Sequence, residues 1–274
     1  MAGYSPGQMD CGTLQSFGDA ALDSQFSQEV GIASQFYSPY AANVYILNEC
    51  SIDQAKSFSD PSGFIMFGYY CAERTIIQTG SSLPLAGILA HEWAHQVQFA
   101  NQWQVTGSAT AAPVELEADA FSGIYMGLVK AWAGSQLDAY FQTLFSLGDW
   151  NFNDPNHHGT PDQRVAAGMV GLNLASEIIQ SGQTISFTDA HNIIAAEIGQ
   201  ILQTAQAVPG DGVAKLKEQA RRSADELPWP ANVHVSRLDY QLIAGIAAGT
   251  RSAREFGPMP PASERRRRSL YLTP

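Results

Sequence analysis

Apolar positions follow two rhythms along this chain. Between residues 43 and 78 they alternate or cluster in short runs, as strands do, and from Gly80 onward they recur three and four apart, as on helices. Asn43–Leu47 reads as a strand, with two further short candidates at Phe64–Tyr70 and Arg74–Gln78 and a turn over Ser59–Gly63. Ahead of them, the Gly-, Ser- and Gln-rich residues 1–25 read as loosely ordered, with a helix predicted over Asp19–Phe36. Ser81 or Ser82 can cap a helix with Pro84 in its first turn, and Leu85, Ile88, Leu89 and Trp93 carry it to about Asn101. Thr106–Ala112 interrupts the pattern before helices predicted over Pro113–Ala133 and Leu137–Leu147. The turn-rich segment Gly148–Gly159 must be a loop. Thr160-Pro161-Asp162-Gln163 then forms a capping box that opens a helix to about Gln180. Further helices fit Asp189–Gln206, Val213–Asp225 and Ser236–Thr250.

The fold class expected is therefore α+β, mainly helical, with a small sheet preceding the helix at residues 84–101. The division expected is an N-terminal segment over 1–35, a main domain over 36–207, a helical extension over 208–255 and a Pro/Arg-rich tail over 256–274. Composition supports a packed core: 274 residues with 45% hydrophobic side chains bury enough surface to exclude a disordered chain. The longest apolar run, near Leu83–Ala90, falls far short of the ~20 residues a bilayer span needs, so no transmembrane segment is expected. Charge is lopsided. Residues 1–212 hold 20 acids and 4 bases, whereas 213–274 hold 6 acids and 11 bases. So acidic a body argues against nucleic acid as a partner, and Arg265–Arg268 reads as a solvated tail. Met1–Asp10 shows neither the basic nor the apolar region of an export signal, so the expectation is a cytoplasmic protein or one whose leader has been removed.

One constellation carries chemistry. His91-Glu92-Trp93-Ala94-His95 lies inside the first strong helix, and side chains four apart share a helix face, so both imidazoles can reach one metal ion with Glu92 beside them. A catalytic zinc takes a third protein ligand and keeps one open position. A distal His six residues on would serve, but Asn101 stands there, with Gln98 where that pattern has Gly. The remaining source is a carboxylate from the next helix. Glu115 and Asp119 share a face, so Glu115 is expected to reach the metal and Asp119 to orient a ligand imidazole. Glu117 points elsewhere and is expected to be an exposed first-turn acid.

The blocks His91–Gln98 (HEWAHQVQ), Glu115–Gly123 (ELEADAFSG) and His158–Arg164 (HGTPDQR) resemble the successive motifs of the bacterial neutral zinc metallopeptidase family. The likeness spans roughly Phe36 to Gly171. Its logic is similar to that of the gluzincins, whose third zinc ligand is Glu. The Glu-x-x-Ala-Asp block is also similar to that of membrane zinc proteases whose transmembrane segments are absent here. What the resemblance implies is a zincin-like core and one Zn2+ per chain on His91, His95 and Glu115. It further implies Glu92 as general base, a peptide or protein substrate, and a secreted or otherwise extracytoplasmic bacterial hydrolase. The same likeness pairs Cys50 with Cys71 in a disulfide; two buried free thiols are the alternative, and Cys11 matches nothing. His158 is the candidate donor to an oxyanion, with Tyr125 and Arg164 behind it. The competing reading makes His158 a helix cap and pairs Arg164 with an acid. His157 is expected to be solvated, and His191 and His234 have no partner motif. Two other functions would use the same residues: another zinc hydrolase such as an amidase, or a catalytically silent zinc-binding interaction protein.

Overall fold

A computed structural model describes residues 11–103, 108–130 and 135–204 and the dipeptide Leu272–Thr273. The predicted helices over 213–225 and 236–250 lie outside the described residues, as does His234. The described residues fall in two compact units, 11–103 in one and 108–130, 135–204 and Leu272–Thr273 in the other.

Among the described residues, the first unit is a small sheet with three α-helices. Strands β1 (Thr13–Leu14), β2 (Asn43–Leu47), β3 (Phe58–Asp60) and β4 (Phe64–Gly68) lie in the order β1-β2-β4-β3. β2 runs parallel to β4, while β1 and β3 are antiparallel to their neighbours. Helix α1 (Ala20–Phe36) starts where Asp19 accepts the amides of Ala21 and Leu22 at 2.8 and 3.0 Å. The stretch read as loosely ordered thus supplies a strand and a helix from residue 13 on. β3 occupies the start of the expected turn, leaving Asp60–Gly63 to make the reversal, with Gly63 at φ +91°.

The predicted strand at Arg74–Gln78 is instead the second half of helix α2 (Tyr69–Thr79). A distant residue decides this. The fully buried Glu49 accepts the N-terminal amides of Tyr70 (3.0 Å) and Cys71 (2.9 Å), giving the helix start a capping acceptor that local periodicity does not reveal. Gly68 makes room for it, since a Cβ there would lie 2.0 Å from Glu49 Oε1. Gly80, at φ +67°, ends the helix.

The expected Cys50–Cys71 pairing is also overturned: Cys11 bonds Cys50, and Cys71 is free and buried. The β1–β2 ladder continues through Cys11 N–H to Asn48 O (3.1 Å) and Asn48 N–H to Gly12 O (2.9 Å), which carries Cys11 alongside Cys50. Cys71 sits inside the first turn of α2, where burial pushes its thiol up to about 11.

Helix α3 (Pro84–Asn101) ends as expected and is buried along almost its whole length. Two of its polar side chains bond backbone carbonyls of the same unit. Gln96 Nε2 donates to the carbonyls of Asp60 and Phe64 at 3.1 and 3.2 Å, and Trp93 Nε1 donates to Tyr40 O at 2.7 Å.

The second unit is helical: α4 (Ala112–Tyr125), a π-helical turn over Met126–Lys130, α5 (Ser135–Leu147), α6 (Pro161–Ser181) and α7 (Phe187–Thr204). Strand β5 (Ile185–Ser186) pairs in parallel with β6 (Leu272–Thr273). α4 and α6 cross at backbone contact. A Cβ on Gly123 would lie 2.2 Å from Gly168 O, and one on Gly171 only 1.8 Å from Ala120 O. Small residues at these positions set the helix separation. The capping box forms as predicted, with Thr160 Oγ1 accepting Gln163 N and Gln163 Oε1 accepting Thr160 N. Thr160, not His158, therefore caps α6.

Candidate metal centre

α3 places His91 and His95 one turn apart, edge to face, with their Nε2 atoms separated by 3.1 Å. His95 Nδ1 lies 2.7 Å from Gln98 Oε1. A carbonyl oxygen can only accept, so Nδ1 carries the proton and the lone pair of His95 rests on Nε2, toward His91. Two imidazole nitrogens that close need a proton or a cation between them. A tetrahedral zinc with bonds of about 2.0–2.2 Å sets its ligand atoms about 3.3–3.6 Å apart, close to the spacing the helix imposes.

Glu92 is buried beside this pair. Ser59 Oγ lies 3.0 Å from Glu92 Oε2 and 2.5 Å from the Glu92 carbonyl, so strand β3 holds the carboxylate against the sheet edge. A single hydroxyl proton serves both acceptors.

In the second unit the acids of α4 take different places. Glu115 is half-buried in the first turn, and Asp119 is fully buried one turn later. Arg164 of α6 grips Asp119 through one edge of its guanidinium, Nε to Oδ2 at 2.7 Å and Nη2 to Oδ1 at 2.8 Å. Its Nη1 lies 3.7 Å from Glu115 Oε2. Of the two sequence readings of Arg164, pairing with an acid is the one the geometry bears out. Glu117 is not the exposed acid expected. It is buried and its Oε1 bonds Nδ1 of His191 on α7, which supplies His191 with a partner that no motif announced.

In the 148–159 loop, His157 is not the solvated histidine expected. His157 is buried, with Nδ1 2.6 Å from Asp149 Oδ1, whereas His158 is exposed. Asp149 also accepts the amides of His158 (3.0 Å) and Asn151 (2.8 Å). Burial alone would raise this carboxyl, but these donors outweigh it and bring it down to about 2. The loop is anchored to the start of α4, where Ala111 N–H donates to Pro155 O at 2.9 Å. Tyr125 is fully buried in α4.

His91, His95 and Glu115 each offer a ligand atom, and these atoms lie within 4.8 Å of one another; the group can hold a metal ion. Ser59, Gln98 and Asp149 escaped the sequence reading. Gln98 had a usable signal, since it stands three residues after His95 on the same helix, but Ser59 and Asp149 reach their partners only through the fold. Set against protein-family models, curated proteins and solved structures, the chain matches none.

Proposed function

We propose that this chain is a zinc-dependent peptidase in which His91, His95 and Glu115 hold the ion and Glu92 is the general base. The observation that carries this reading is the convergence of two imidazoles and one carboxylate within 4.8 Å, with a buried glutamate in the residue following the first imidazole. The donor set fits the metal: two neutral nitrogens and one carboxylate oxygen make the three-ligand set of a catalytic zinc, with a fourth position left for substrate or water. Bound there, zinc would supply Lewis acidity to a peptide carbonyl and to a water molecule, whose pKa it lowers toward ~7.

The protein groups do the rest. Gln98 holds His95 in the tautomer whose Nε2 can ligate. Ser59 orients the Glu92 carboxylate, which takes the proton from the attacking water and delivers it to the leaving amine. The exposed imidazole of His158, in the 148–159 loop, serves as the oxyanion donor in this reading.

The Cys11–Cys50 disulfide favours an oxidising compartment outside the cytosol. Among the described residues no helix is long and apolar enough to cross a membrane.

The test is metal analysis of the purified protein together with hydrolysis of casein and a peptide library, with and without chelator. One zinc per chain and chelator-sensitive cleavage are expected. Glu92→Gln should retain the zinc while turnover falls roughly 10²–10⁴-fold. Zinc without cleavage of any peptide would leave the amidase or binding-protein reading. A preparation that takes up no metal would end the proposal.

A further inference from the structure

We infer that Arg164 is a positioning residue for the metal centre, presetting Glu115 and Asp119 as one rigid pair of carboxylates before any ion arrives. This rests on the zinc reading above and assigns a role to a residue that reading does not use.

Residues 1–212 contain only four basic side chains, Lys56, Arg74, Lys130 and Arg164. Arg164 is 3% exposed. Burying a guanidinium is costly unless its donors are matched, and here the matching is specific. Nε and Nη2 address the two oxygens of Asp119 at 2.7 and 2.8 Å, a bidentate geometry that fixes the plane of the carboxylate. Nη1, on the remaining edge, faces Glu115 Oε2 at 3.7 Å. Glu115 and Asp119 are one turn apart, so a single planar cation spans both and defines their relative orientation. The close crossing of α4 and α6 at Gly123, Gly168 and Gly171 brings Arg164 to this depth. Two acids against one guanidinium leave a net negative charge, which favours a divalent cation over a neutral occupant.

Lysine can supply the charge but not the fork, so Arg164→Lys isolates geometry from charge. Arg164→Gln keeps an N–H donor without the charge. Circular dichroism reads folding, competition titration reads zinc affinity, and the visible spectrum of the Co2+-loaded protein reads ligand geometry. The control is His191→Gln, which disturbs a buried contact of the same helix on another side.

Folded Arg164 variants should bind zinc roughly 10–100-fold more weakly than the wild type and show a shifted Co2+ band, while His191→Gln keeps wild-type affinity. Wild-type affinity with an unshifted band in a folded Arg164 variant would overturn the inference. So would equal weakening in His191→Gln, or a failure of both Arg164 variants to fold, since Arg164 would then serve only the helix packing. If the wild-type protein binds no zinc, the zinc reading itself fails and this inference falls with it. Wild-type binding is measured first, so the two failures are told apart.

Discussion

At the scale of single residues, two acids two positions apart on one helix have different partners, and mutation separates them. Glu115→Ala should abolish stoichiometric zinc uptake, read by metal analysis. Glu117→Ala should leave zinc bound but lower the unfolding free energy by about 1–3 kcal/mol, because His191 loses its buried partner. Asp149 gives a pH signature. Its folded-state value of about 2 lies below the ordinary 3.8, so its stabilising effect is present above that ordinary value. It is lost as pH falls through the folded-state value. The thermal stability of the wild type should therefore fall steadily as pH drops from 3.8 to about 2. Asp149→Asn should start less stable at neutral pH and show a flatter profile across the same window.

Elements are held together here by devices that are cheap in sequence and strict in space. A lone glutamate, Glu49, starts α2 from twenty residues upstream, and the glycine at 68 exists to admit it. The α4–α6 crossing depends on glycines for the same reason. Gly171→Ala would drive a methyl into the Ala120 carbonyl, which is backbone and cannot rotate away. The helices must separate, and a loss of about 1–3 kcal/mol is expected in chemical denaturation. Arg164 rides on the same crossing, so zinc affinity should fall in this variant as well. The 148–159 loop belongs to this scale too. Asp149 and the Pro155 carbonyl tie it to itself and to α4, which explains how a segment of polar turn residues comes to be ordered.

For the whole molecule, the disulfide is the covalent cross-link of the first unit. It closes a loop between residues 39 apart, which by chain entropy contributes about 4 kcal/mol. It also fixes a thiol count. Under denaturing, non-reducing conditions one thiol should react, that of Cys71, and three after reduction. In the native protein Cys71 should resist alkylation at pH 8, since burial holds its thiol near 11. Three reactive thiols without reductant, or label on Cys11 instead of Cys71, would contradict this pairing.

What the chain declared by itself is what short-range periodicity and capping chemistry can encode. Asp19 and Thr160 starting their helices, the strand at Asn43–Leu47, and the one-turn spacing of His91 with His95 and of Glu115 with Asp119 all follow from neighbours within four residues. The tertiary structure decided what depends on residues far apart in sequence. α2 is a helix because Glu49 meets its N-terminus, Cys11 takes Cys50 because two strands align, and His157 is buried because Asp149 lies eight residues away across a loop. Glu117 looked like a solvent acid for the same reason, since a carboxylate's fate depends on which donor the fold brings to it, and His191 is 74 residues further along the chain.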